Sequence, residues 1–246
     1  MAKTGLFHHV GTFLLFAAAV LLLITTIASP VVNDIAILKV TLTNSSDIRH
    51  SSVTFGTFGH CVRDAAPAQS DQDSCTGKHI GYNPLNIMES IDRVSYSHAS
   101  IDTSKALTRV MILHPIACGL AFIAFLLALG AGVFGALLAS FVSAITFVVT
   151  LVALVCDFVA FGIVKDKVNK DGSGSHASYS VGIWTILAAM ILLFFATFIV
   201  FFTCFSARMH KNRSTRHTKN GEAGYIDGPA TTTTTRRHFW QRRSRY

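Results

Sequence analysis

The chain has 246 residues, of which 51% are hydrophobic and only 14% are charged, and its formal net charge is +8. A soluble domain of this size could not bury so large an apolar fraction in a single core. These figures exclude an ordinary soluble protein and indicate an integral membrane protein.

Four long apolar segments are predicted to cross the bilayer as helices: about 10–28, 110–130, 136–164 and 181–205. Each is close to or above the roughly 20 residues needed to cross about 30 Å of hydrocarbon. The last two are long enough to be tilted. The predicted fold is an all-α membrane protein, a four-transmembrane-helix bundle formed by residues 1–206.

The distribution of basic residues predicts the orientation of these helices. The tail from Arg208 carries ten basic and two acidic residues, which accounts for the whole net charge. Lys and Arg concentrate on cytoplasmic flanks, so both termini are predicted to be cytoplasmic and the loop 30–109 extracellular. A cleaved signal peptide is the alternative for the first segment, but Pro30 makes a poor cleavage site.

The first loop, residues 30–109, is predicted to be held by a disulfide. Cys61 and Cys75 are its two cysteines, and an oxidising compartment favours their pairing. The bond closes a short loop and would contribute on the order of 3 kcal/mol. Two free thiols are the first alternative. A metal site with His60 and His79 is the second, although the spacing fits no standard zinc pattern.

The same loop is predicted to contain two or three β-strands. Segment 35–42 is rich in β-branched residues, and segment 53–58 alternates in a strand-like way until Gly56 and Gly59 interrupt it. A sequon at Asn44 makes that residue a glycosylation candidate in this exposed stretch.

Two ionisable side chains fall inside the predicted helices. His114 lies near the start of the second apolar segment and Asp157 lies late in the third, so antiparallel helices would bring them to a similar depth. Polar groups inside a membrane helix are costly and often functional. We expect His114 and Asp157 to face the bundle interior and to pair directly or through water. Such a pair could titrate with the external pH, or it could only fix the crossing of the helices.

Residues 207–246 are predicted to form a disordered, basic cytoplasmic tail. Its end mixes basic and aromatic residues, which suits anionic lipid; nucleic acid is not expected as a partner of a tail tethered to a membrane. The candidate lipid contacts are Arg236, Arg237, Phe239, Trp240, Arg242 and Arg243.

Several local motifs together resemble the fungal PalI family, within a wider group of four-span, eisosome-associated proteins. They include the loop motif 55–62 with Cys75 and then Gly81-Tyr82 downstream, the segment 113–117 (LHPIA), and 156–158 (CDF). The loop motif has its aromatic and glycine positions at Phe55, Gly56, Phe58 and Gly59. His60 departs from the family, in which an aromatic residue is expected.

The resemblance implies a claudin-like layout and a function in signalling. It implies a plasma-membrane accessory protein that helps a seven-span sensor of alkaline ambient pH, with an arrestin-like adaptor downstream. The alternative is a structural organiser of eisosome-type membrane domains. The residues themselves show no nucleotide-binding glycine loop, nucleophile elbow or metal-ligand spacing. We therefore predict no enzyme activity, catalytic residue, cofactor or metal, and we leave a homo-oligomer open.

Overall fold

The computed structural model describes residues 6–29, 31–32, 35–42, 52–63, 74–130 and 133–221. Residues 1–207 form one compact unit, and residues 208–246 are a second. The glycosylation candidate Asn44 and the six candidate lipid contacts of the tail lie outside the described residues.

The described part of the chain is mostly helical. Its helices are α1 (Leu6–Thr26), α2 (Pro84–Asp92), α3 (His98–Val110), α4 (Leu113–Leu129), α5 (Val133–Val168) and α6 (Val181–Gly221). Four stretches are long and apolar enough to cross a membrane, as predicted: His9–Thr26, His98–Leu129, Gly135–Val168 and Val181–Thr203.

The C-terminal boundary differs from the prediction. Helix α6 continues to Gly221, beyond the predicted end of the fourth apolar segment at residue 205. The reason is local: no Pro or Gly interrupts the chain between the apolar segment and Gly221, and a helix propagates until such a residue ends it. The disorder of the tail stays a prediction.

A five-stranded antiparallel sheet covers one end of the bundle. The strands are β1 (Leu38–Thr41), β2 (Ser52–Phe55), β3 (His60–Arg63), β4 (Ser74–Cys75) and β5 (His176–Tyr179), in the order β4-β3-β2-β1-β5. The prediction of two or three strands was too low. Strand β5 comes from the second loop, residues 165–180, and pairs with β1, so Leu38 faces Phe55 on one side and Tyr179 on the other.

The strand predicted over 53–58 ends at Phe55, because residues 56–59 form the turn into β3. The amide of Gly56 donates to the carbonyl of Gly59 at 2.9 Å and closes this hairpin. All four residues of β2 are buried, so the predicted alternation does not correspond to one exposed face and one buried face of the strand.

Helices α2 and α3 were not predicted. Asn83 caps α2 by accepting from the amide of Asn86 at 3.3 Å, and Pro84 occupies the first turn. This pairing of a capping residue with a proline is a recognisable start signal. Both helices are much more polar than the membrane segments, so the pattern of hydrophobic residues did not reveal them. Helix α3 lies directly before α4.

The apolar interior divides into two clusters. The sheet-end cluster is built from large side chains of the sheet, α2, α5 and α6, among them Phe55, Met88, Phe161 and Ile183. The bundle cluster is rich in alanine from α1, α4, α5 and α6, including Ala18, Ala121, Ala124, Ala139 and Ala196. Each small-residue position lets neighbouring backbones approach closely.

Candidate functional site beneath the sheet

The structure brings His114 and Asp157 into direct contact. The Nε2 atom of His114 lies 2.9 Å from Oδ2 of Asp157, and the two side chains are only 1% and 2% exposed. Within the described residues, neither of these two atoms has a hydrogen bond of regular geometry, either to the other or to a third group. The contact joins the first turn of α4 to the late part of α5.

The proline after His114 fixes the direction of the imidazole. In a regular helix the amide of residue 115 would donate to the carbonyl of Met111, but Pro115 has no N–H. The ring Nδ1 of His114 lies 3.0 Å from that carbonyl oxygen, and the His114 amide also donates to it at 3.1 Å. The His-Pro pair therefore turns Nε2 towards Asp157.

The geometry also indicates which atoms of the contact carry a proton. A carbonyl oxygen only accepts, so Nδ1 of His114 carries a hydrogen and donates to Met111. A favourable contact at this distance needs one further proton between Nε2 and Asp157, either as imidazolium with carboxylate or as neutral imidazole with carboxylic acid. Without it, two acceptors would face each other 2.9 Å apart in a buried site. The His114–Asp157 contact, which is one of many between α4 and α5, is therefore favourable only with that proton.

Tyr82 joins the loop motif to α3. Its hydroxyl donates to the carbonyl of Gly56 at 2.6 Å, and its own carbonyl accepts from the hydroxyl of Thr108 on α3 at 2.6 Å. Burial raises the pKa of Tyr82 well above its ordinary value, and the nearby charge of Asp157 adds to that rise. Tyr82 therefore remains a hydrogen-bond donor to the loop motif.

The loop motif is also fastened to the end of α1. A Cβ added at Gly56 would lie 2.2 Å from the carbonyl oxygen of Ser29, so only glycine fits this approach. Thr57 donates its hydroxyl to the carbonyl of Thr25 at 2.7 Å, and Ser29 donates its hydroxyl to the carbonyl of Thr54 at 3.4 Å.

The predicted disulfide is confirmed: Cys61 on β3 is bonded to Cys75 on β4, its partner in the strand register. Next to it, the amide of His79 donates to the carbonyl of Phe58 at 2.8 Å. Among the described residues, no group of three or more His, Cys, Asp or Glu side chains could hold a metal ion.

His60 occupies the position where the family resemblance predicts an aromatic residue, and it packs as one. Its ring centre lies 5.9 Å from that of Phe55 and 6.3 Å from that of Tyr82, and the latter two rings stack nearly parallel. Burial lowers the pKa of the half-buried His60. The imidazole thus serves mainly as a flat, neutral ring at neutral pH.

Sequence reasoning missed the connecting residues. Tyr82 was noted only as part of a motif, and Thr108 was not singled out at all. Gly81, which has a φ of 75° and packs against the side chain of Arg109, holds the backbone turn that presents Tyr82. A glycine directly before an aromatic residue is the signal that could have pointed to such a turn.

The chain is similar to known fungal proteins. A family model described as SUR7/PalI family matches residues 7–196. The chain is 31% identical over 120 residues to the pH-response regulator protein palI/RIM9 of Emericella nidulans, covering 49% of this chain and 18% of the relative. It is 26% identical over 222 residues to the pH-response regulator protein palI/prr-5 of Neurospora crassa, covering 87% of this chain and 27% of the relative.

The chain therefore spans 27% or less of the length of these curated relatives. The family match, by contrast, covers well over half of this chain and extends from α1 into α6. It includes the loop motif of the sheet and the His-Pro pair and Asp157, of which His114 and Asp157 are in contact. The chain belongs to the SUR7/PalI family.

Proposed function

We propose that this protein is an accessory component of ambient-pH signalling at the plasma membrane of a fungus. It assists a seven-span sensor, upstream of an arrestin-like adaptor. In this proposal both termini are cytoplasmic and the sheet faces the medium. The observation that carries the proposal is the similarity to two proteins named as pH-response regulators, one of which aligns with 87% of the chain.

Charge supports the orientation. Residues 208–246 carry ten basic and two acidic residues, and such an excess stays on the cytoplasmic side. The Cys61–Cys75 disulfide belongs to an oxidising compartment, which is the opposite side of the membrane. The claudin-like layout and lipid binding by the basic end of the tail remain predictions.

In this role the His114–Asp157 contact is the part of the molecule that responds to alkaline conditions. The pair is favourable only with one proton between its two side chains, and it lies close enough to Tyr82, the residue that donates to Gly56, for the charge of Asp157 to add to the rise that burial causes in the pKa of that tyrosine. Loss of the proton would weaken the α4–α5 contact and loosen the sheet above it. The surface that this chain presents to the bound sensor would then change.

Complementation tests the proposal. A fungal strain lacking its own PalI-family gene is expected to lose growth on alkaline medium and to regain it with this chain. Purification of the tagged chain from those membranes is expected to retain a seven-span protein. Normal alkaline growth of the deletion strain would contradict the signalling role.

The variant Asp157→Asn separates proton binding from structure. The side-chain amide that this variant introduces can donate to Nε2 of a neutral His114, so the helix contact persists without a proton to lose. Stable protein that fails to restore alkaline growth would support the sensing role. Full restoration would reduce the pair to a structural contact.

A structural organiser of membrane domains is the second candidate, because the matching family is described jointly as SUR7 and PalI. Self-association of the chain would suit this role. Scattered membrane patches together with normal alkaline growth in the deletion strain would favour the organiser over the signalling role.

A further inference from the structure

A second polar cluster joins the first and second loops at the sheet end, away from His114 and Asp157. The hydroxyl of Tyr96, between α2 and α3, donates to Oδ2 of Asp171 in the second loop at 2.5 Å. The hydroxyl of Ser175 donates to Oδ1 of Asp92, the last residue of α2, at 2.9 Å. These side-chain bonds supplement the pairing of β1 with β5.

The two carboxylates of this cluster are unequal. Asp171 is well supported, because its Oδ1 also accepts from the amide of Ser173 at 2.8 Å. The Oδ2 atom of Asp92 is buried and has no hydrogen-bond partner among the described residues. An ionised carboxylate with a buried, unpartnered oxygen is costly, whereas a protonated one is not charged.

The groups around Asp92 add negative rather than positive charge. Besides burial, the negative charge of Asp171 raises the pKa of Asp92, whereas hydrogen bonds from Ser175 and Ser173 lower it. Besides burial and the hydrogen bond to Asp171, the negative charges of Glu89 on α2 and of Asp92 itself both raise the pKa of Tyr96. At the end of α5, Lys170 is paired with Asp166 at 2.5 Å and is largely exposed, while Arg93 follows Asp92 as an exposed residue in the left-handed conformation.

We propose that Asp92 and Asp171 form a proton-dependent latch that closes the second loop onto α2. With Asp92 protonated, the two loops hold the contacts described above. With Asp92 ionised, repulsion from Asp171 loosens residues 169–179 from α2. The latch rests on the proposed function for its meaning, since only a sheet that faces the medium would follow ambient pH.

The electrostatics give the direction of the effect. Burial and, after it, the charge of Asp171 raise the pKa of Asp92. Burial opposes ionisation of Asp171 too, but hydrogen bonds from Ser173 and Tyr96 outweigh it and lower the pKa of Asp171. The closed loops therefore bind a proton at Asp92 more tightly than the open loops do. Above the ordinary pKa of aspartate, where Asp171 is already ionised, closure weakens as the pH rises through the raised pKa of Asp92; the lowered pKa of Asp171 acts in the opposite direction only at lower pH.

Hydrogen–deuterium exchange of the full chain in lipid nanodiscs tests the latch. Exchange in 169–179 is measured from about pH 4 to about pH 8 and corrected for the chemical exchange rate at each pH. We expect protection of this segment to fall as the pH rises. The expected fall in protection is on the order of tenfold.

Two variants make the test specific. Asp92→Asn mimics the protonated acid and is expected to keep the segment protected at every pH. Asp102→Asn removes an exposed carboxylate of α3 and is expected to keep the wild-type pH step. A pH step that survives in Asp92→Asn, or a folded wild-type protein without any step, would overturn the latch. Because exchange is read on the purified chain, this result is independent of whether alkaline growth requires the protein.

Discussion

The two ends of the bundle are packed by different means. The sheet-end cluster uses large apolar side chains such as Phe55, Met88 and Phe161, and it surrounds the polar site of His114 and Asp157. The bundle cluster has alanine at most of its buried positions, and one of its interhelical hydrogen bonds joins Ser143 to Thr197 at 2.6 Å.

The difference follows from the solvent at each end. Between helices in lipid there is no hydrophobic drive, because the lipid tails are as apolar as the side chains, so close packing of small residues holds the helices together. At the sheet end, water makes the burial of large side chains favourable, at about 25 cal/mol per Å² of apolar surface. The sheet end holds the buried His114–Asp157 pair, whereas the bundle cluster is built mainly from alanine.

The largest effect is expected at the ion pair. Asp157→Ala leaves the imidazole of His114 buried without its partner and should lower the free energy of unfolding by about 3–5 kcal/mol. The matched control is Thr150→Ala on the same helix, whose hydroxyl donates only to the carbonyl of Thr146; it should cost about 1 kcal/mol. Reversible unfolding in detergent measures both, and equal losses would contradict the contrast.

Removal of the disulfide is expected to cause the second-largest loss of stability. Replacing Cys61 and Cys75 by serine should cost on the order of 3 kcal/mol and act on the sheet end alone. Cys156→Ala, in the bundle helix α5, is the control and should cost much less, since that thiol is partly exposed. Thermal unfolding under reducing and oxidising conditions checks the prediction. A wild-type midpoint that does not respond to reductant would contradict it.

Alanine substitutions at one glycine of the sheet end and one glycine of the bundle compare the packing of the two ends directly. Gly56→Ala places a Cβ against the backbone of Ser29 and should cost about 1–3 kcal/mol. Gly119→Ala on α4 meets nothing within 4 Å and should be neutral or slightly stabilising, because alanine favours the helix. Thermal shifts of the two purified variants report the difference; a tolerated alanine at position 56 would remove the close approach from the account.

The smallest effect is expected in the bundle. Ser143→Ala removes the hydrogen bond to Thr197, and such bonds between membrane helices average about 0.6 kcal/mol. Thr197 keeps its own bond to the carbonyl of Leu193 at 2.7 Å, so no buried donor is stranded. A double-mutant cycle with Thr197→Ala measures the coupling. A coupling as large as that of the ion pair would erase the distinction between the two ends.

The amino-acid sequence by itself determined the four membrane helices and the disulfide. A run of about 20 apolar residues must become a helix in lipid, because every backbone polar group has to be satisfied internally. The cysteines of the first loop could be paired because they were the only two there. The sequence also placed His114 and Asp157 at similar depth, because helix rise converts residue number directly into distance.

Only the tertiary structure decided how the loops meet those helices. Strand β5 is recruited from the second loop, and a β-pairing between distant segments leaves little trace in either one. The roles of Tyr82 and Thr108 depend on contacts with residues far along the chain. The direction of the His114 ring combines a local rule with a distant partner: Pro115 frees the carbonyl of Met111, and the packing of α4 against α5 supplies Asp157. Local chemistry sets what each residue can do, and long-range packing chooses the partner.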